Sequence, residues 1–267
     1  MPLTKFNLAA AARSILCEPD PGEKVARTLS AVADWRAGDL PIGVEESAMP
    51  ARPARPELPA LLPPRDMPRR RVGGVRGRIA LLHAVAHIEL NAIDLAWDLI
   101  GRFTAQAWPA EFHADWLGVA EDEARHFAML QARLTDLGAR YGDLPAHDGL
   151  WRAAMATAHD PLARLAVVPM VLEARGLDVT PGMIARLRQA GDNASADILE
   201  IIFQEEISHV AAGTRWFNYL CRQRGLPESK TWRALVAKHH RGALKPPFNE
   251  AARRASGMAP ELYNSLV

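Results

Sequence analysis

At 267 residues, with 49% apolar and 24% charged side chains and a formal net charge of +1, the chain has globular composition and the length of one large helical domain plus appended segments. Near-neutral charge supplies no overall drive toward nucleic acid or anionic lipid, and no uninterrupted apolar run approaches roughly twenty residues, so no membrane span is expected. Cys17 and Cys221 lie far apart and form no Cys-x-x-Cys, which argues against a disulfide scaffold, a zinc ribbon or a redox dithiol and predicts two ordinary buried thiols.

Met1-Pro2-Leu3-Thr4-Lys5 opens without the features of a secretory signal, which points to the cytoplasm. Apolar spacing predicts short helices over Phe6 to Ser14 and Gly22 to Arg36, the second entered through Asp20-Pro21. Pro53, Pro56, Pro59, Pro63 and Pro64 then forbid helix interior and predict an extended strap from Pro50 to Pro68, anchored by Leu58, Leu61 and Leu62. Arg69, Arg70 and Arg71, with Arg76 and Arg78, form the one conspicuous basic cluster: a solvated linker, or a contact for phosphate. The first long helix is expected from Arg76 to Phe103. Trp108-Pro109 marks a turn, and a second helix should run from Ala110 to Gly138, where glycine suits a C-cap. A helix from Gly149 to His159 follows. Asp160-Pro161 then starts a third bundle helix that should stop just past Glu173, because Gly176, Asp178 and Thr180-Pro181 read as a break before a short helix to Ala190. The fourth helix should extend from Asp192 or Asn193 through Gly225, with one more from Thr231 to His240. Lys238-His239-His240-Arg241 reads as a basic helix end.

Two stretches carry the chemistry: Glu121-Asp122-Glu123-Ala124-Arg125-His126 and Gln204-Glu205-Glu206-Ile207-Ser208-His209. Each holds Glu-x-x-His in a helical run, so carboxylate and imidazole share one face. Glu89 precedes the first pair by 34 positions and Glu173 the second by 33, giving the order Glu, Glu-x-x-His, Glu, Glu-x-x-His. With 9 histidines in the chain, about half a Glu-x-x-His is expected by accident. Two occur, each with a preceding glutamate at nearly the same offset. Glu89 falls on an apolar stripe with Leu82, Val85, Ala86, Ile93, Ala96 and Ile100, where an unpaired carboxylate is costly. His83 and His87 point well away from Glu89 around the helix and read as packing residues or supports behind the ligands. From Glu89 to Phe103 and from Ala110 to Glu123 the two arms span roughly 20 Å each, so an antiparallel hairpin sets Glu89 level with Glu123 and His126.

Four carboxylates gathered in a core would protonate or unfold the bundle unless counter-charged, and two divalent cations balance them. Oxygen ligands with one imidazole per ion suit iron or manganese rather than a closed structural zinc site. Glu89 and His126 are expected on one ion, Glu173 and His209 on the other, with Glu123 and Glu206 bridging and carrying the catalytic role. Asp122 and Glu205 are candidates to orient the outer nitrogens of the two histidines.

This six-residue pattern resembles the ferritin-like di-iron carboxylate superfamily over residues 76 to 225. Leu172-Glu173-Ala174-Arg175-Gly176-Leu177-Asp178 and His87-Ile88-Glu89-Leu90 resemble a widespread, uncharacterised bacterial branch of it. The resemblance implies a ferritin-like four-helix bundle over 76–225; outside it, residue patterns predict N-terminal helices and strap over 1–75 and a helical extension over 226–267, an all-α chain throughout. It also implies two iron ions, with manganese or a mixed pair as alternatives, that activate dioxygen or peroxide to oxidise or hydroxylate an organic small molecule or a tRNA. A homodimer fits the same resemblance. The competing functions are iron or peroxide handling of a ferroxidase kind, and a non-enzymatic helical interaction protein that metals hold together.

Overall fold

Side chains of Asn7, Asp20, Asp160, Asp192 and Asn249 accept from backbone amides and cap the starts of their helices. The computed structural model describes residues 6–44, 48–67, 74–240 and 242–264. Among them the chain is all-α, with no strand beyond an isolated bridge between Leu61 and Ala146. Met1–Lys5, Pro68, Arg69, Arg70, Arg71 and Arg241 lie outside the described residues. The chain divides into two compact units, Met1–Trp151 and Arg152–Val267.

In the first unit α1 (Leu8–Leu16) and α2 (Pro21–Ala37) pack on a hairpin of α3 (Gly74–Arg102) and α4 (Ala110–Asp136). Asp20 caps α2 by accepting from the Glu23 amide, with Pro21 at the first helical position. Trp108, at the predicted turn, stacks on Phe112 of α4 with centroids 3.8 Å apart. Past α4, Gly138 takes φ +76° and lets the Ala139 amide reach back to Leu134 O at 2.9 Å, the glycine stop the sequence announces. Helix α3 is the core rod, buried on all sides from Glu89 to Gly101. It is long and apolar enough to cross a membrane by length and composition, but 72% of that window is buried inside the protein, as in a core helix. The rod also carries Asp94, paired with Lys24, and Asp98, held by Arg102 at 2.6 Å.

The proline-rich segment runs without α-helix over this unit and, contrary to the extended strap expected, closes into a 3-10 turn at Pro64–Asp66. Leu62 N donates to Ala146 O and Ala146 N to Ala60 O, while Ala54 N donates to Leu16 O at 2.7 Å. Arg102 and Trp151 donate to the carbonyls of Pro50 and Ala51. The expected leucine anchors are a correction: Leu58 is 61% and Leu61 39% exposed, and Leu62 is only half-buried, whereas Pro53 and Pro59 are buried. Backbone pairing and proline rings fix the strap, because alternate side chains of an extended chain point away from its support. Cys17 is likewise exposed rather than buried; Cys221 is buried, and both thiols are free.

Helix α5 (Gly149–Ala156) contains the boundary between the units. In the second unit α6 (Pro161–Val167), a π-helical segment (Val168–Glu173) and α7 (Ala174–Gln189) follow without interruption. They pack with α8 (Asn193–Gln223), and α9 (Glu228–His239), α10 (Glu250–Ala255) and α11 (Pro260–Tyr263) complete the unit. The expected break after Glu173 is absent. The irregularity lies just before Glu173, as the π segment, and α7 continues through Gly176 and Pro181. A proline inside a helix leaves the carbonyl four residues back without its donor. Here that carbonyl, Leu177 O, accepts from Asn249 Nδ2 at 3.2 Å, so a distant side chain satisfies the backbone that Pro181 cannot.

Gly213 of α8 faces the π segment so closely that an added Cβ would sit 2.4 Å from Pro169 Cβ. Alanine gains about 1 kcal/mol of helix propensity there, but the pyrrolidine ring cannot yield. Gly213→Ala is therefore expected to destabilise the protein by a net of about 1–3 kcal/mol in urea denaturation. An unchanged midpoint would show that the α8 contact is slack.

Candidate metal centre

Glu89 sits midway along α3, and Glu123 and His126 lie one turn apart on the facing surface of α4. Because the two arms of the hairpin are nearly equal in length, the three side chains meet. His126 Nδ1 is 3.1 Å from Glu89 Oε2 and 3.6 Å from Glu123 Oε2. One ligand atom from each residue lies within 4.8 Å of the others, and all three residues are almost wholly inaccessible, at 2%, 0% and 0%.

Burial first, and the negative charge of Glu123 second, hold the Glu89 carboxyl well above the usual carboxylate range. Burial opposes charge on His126 as well, but its hydrogen bonds to Glu123 and Glu89 and their negative charge prevail and raise it to about 11. The trio thus resists releasing its protons to water, and a divalent cation is the natural replacement for them. Two hard oxygen donors and one imidazole nitrogen, enclosed between two helices, fit iron, manganese or another borderline divalent ion.

The second unit repeats the motif. On α8, His209 Nδ1 lies 3.6 Å from Glu206 Oε2, the same distance as in the His126–Glu123 pair, with His209 buried and Glu206 nearly so. Glu173 is half-buried at the end of the π segment, where α7 begins. Among the described residues, Glu173, Glu206 and His209 do not form a trio as tight as that of the first unit. The two halves therefore match in the Glu-x-x-His pair and differ at the lone glutamate, which a regular helix carries in one and a π segment in the other.

The supporting residues divide. His83 Nε2 accepts from the Gly142 amide at 3.0 Å, and His87 Nδ1 is 2.8 Å from the Tyr141 hydroxyl, so both histidines pin the 141–147 loop as packing residues. Burial chiefly, with the Arg55 charge, lowers the His87 pKa to about 3 and keeps that ring neutral. Asp122 gives a carboxylate oxygen to Arg125 at 2.6 Å on a partly exposed face. Glu205 is half-buried. One feature escaped the sequence reading: Asp94, five residues past Glu89, is fully buried with Lys24 beside it and Arg55 at 3.7 Å. Its signal is a second acid inside the same apolar run.

The electrostatics predict a pH dependence for chelator-treated protein. Glu89 and His126 both have folded pKa values above their ordinary ones, so their stabilisation is complete at low pH and lost as pH rises. For His126 the window runs from 6.5 to about 11. The urea midpoint of the chelated protein should fall across that window, and manganese(II) should flatten the profile. A midpoint independent of pH without metal would contradict the assignment.

The sequence pattern of a family described as "Protein of unknown function (DUF455)" matches residues 17–264. A protein of Haemophilus influenzae, described as an uncharacterized protein, is 44% identical over 209 residues, spanning 76% of this chain and 73% of that one. No solved structure matches the chain. With the match covering nearly its whole length, the chain belongs to the DUF455 family.

Proposed function

We propose that the chain is a di-metal oxidoreductase in which residues 76–225 form a ferritin-like four-helix bundle. In this reading it uses dioxygen or peroxide to oxidise or hydroxylate an organic substrate. The observation that carries it is the buried Glu89–Glu123–His126 trio, with its 3.1 Å contact between Glu89 and His126. The equal 3.6 Å spacing in the Glu206–His209 pair supports a second ion of the same kind. In this reading Glu89, Glu123 and His126 would hold one ion, and Glu173, Glu206 and His209 would hold the other. Two divalent cations then balance four carboxylates, and the oxygen-rich donor set favours iron, with manganese or a mixed pair as alternatives.

When bound, two such ions supply paired redox chemistry toward dioxygen or peroxide. The chain's own part is to hold the ligands and keep water out. Ala86 and Ile93, one turn before and one turn after Glu89 on the same face of α3, are both buried and keep that half of the site dry. Glu123 and Glu206, one from each Glu-x-x-His pair, would hold the ions at the reacting face of the site. Two free thiols fit a reducing compartment, and we place the protein in the cytoplasm.

Metal analysis of the purified chain, followed by oxygen uptake on adding iron(II), tests the reading. About two ions per chain are expected, as in di-iron bundles, with oxygen consumed and no ferric mineral formed. Glu123→Ala and His126→Ala should each lose bound metal and abolish uptake. Mineral growth would transfer the protein to iron storage. Ions inert to oxygen would leave a purely structural metal, and a chain that retains no ion would end the proposal.

A further inference from the structure

The first turns of α7, immediately after Glu173, are held by the C-terminal segment through side chains that neither helix propensity nor apolar packing requires. Arg253 of α10 is 2% exposed, and its guanidinium forks onto the fully buried Asp178, Nε to Oδ1 at 2.8 Å and the terminal nitrogen to Oδ2 at 2.7 Å. The same terminal nitrogen donates to Ala174 O at 3.4 Å, one residue from Glu173. Phe248 and Tyr263 place their rings 4.8 and 4.7 Å from the guanidinium carbon. Asn249 has two tasks: its Oδ1 caps α10, and its Nδ2 satisfies the Leu177 carbonyl that Pro181 leaves open. Its backbone amide donates to Asp178 Oδ1 at 3.0 Å, and Arg175 donates to Lys245 O at 2.7 Å.

We infer that residues 245–263 form a clasp that positions Glu173 for metal binding, with Arg253 and Asn249 as its positioning residues. The inference rests on the reading of Glu173 as a ligand. A buried ion pair is a poor source of net stability, since desolvation cancels most of its attraction, whereas its fork geometry fixes direction. Here the fixed direction is that of the backbone between Ala174 and Asp178. Glu173 ends a π segment, an irregular stretch out of register with the α-helices on either side, so its direction depends on what anchors the turn that follows. Gly176 and Pro181 weaken α7 at the same place, and the clasp restores what they remove.

Charge and positioning make opposite predictions, which is what makes the idea testable. Deleting a cation near a dication site strengthens metal binding by Coulomb's law alone. Deleting a positioning group weakens it. Cobalt(II) titration of the full chain, read by its ligand-field absorption and by metal content, should show two ions in the wild type. In Arg253→Met, Arg253→Lys and Asn249→Ala the first ion should bind as before and the second more weakly, by about tenfold or more, in protein whose far-ultraviolet dichroism is unchanged. Lysine fails in this account because it keeps the charge and lacks the fork. Two ions bound with wild-type or tighter affinity in all three variants would overturn the clasp alone, as would parallel weakening of both ions. A wild-type chain that takes up no ion would overturn the proposed function, and the clasp's role with it.

Discussion

Everything in the first unit is arranged around the cost of placing Glu89 and Glu123 side by side without water. Two carboxylates in a helix interface repel each other and forfeit hydration, an arrangement that survives only with protons, a base between them or a cation. His126 supplies the base, 3.1 Å from Glu89 and 3.6 Å from Glu123. The rest of the unit makes that geometry rigid. Helix α3 is enclosed by α1, α4 and the proline strap, and Lys24, Arg55 and Arg102 attend its other two acids, Asp94 and Asp98.

The second unit solves a related problem by other means. Its Glu-x-x-His pair has the same internal spacing, but the lone glutamate ends a π segment that contains Pro169 and that Gly213 accommodates. The backbone there is held by side chains from far along the chain: Asn249 on Leu177 O, Arg253 on Ala174 O and Trp232 on Ala166 O. Such supports are what an irregular rod needs when its own ladder of hydrogen bonds is incomplete.

The legible part of the sequence was what local rules govern. Asp20-Pro21, Asp160-Pro161 and Asp192 mark helix starts and appear as caps in the structure. Equal arm lengths about Trp108-Pro109 foretold the meeting of Glu89 with His126, because rise per residue is nearly constant in a helix. Local rules failed where distant groups override them. Pro181 reads as a break, yet Asn249 is 68 positions away and cannot be paired with it by inspection. Leu58 reads as an anchor because it is apolar, but the strap's hydrogen bonding decides which side chains face inward. The Glu-x-x-His pairs were visible because both members lie on one helix. The ion pair of Arg253 with Asp178 was not, because nothing in its spacing reports on the fold.

The claim beneath all of this is that Glu89, Glu123 and His126 are metal ligands. X-ray absorption of the iron(II)- or manganese(II)-loaded protein addresses it most directly. The account predicts a coordination shell of oxygen and nitrogen only, with imidazole multiple scattering. A spectrum indistinguishable from the hydrated ion, or a shell containing sulfur, would contradict it.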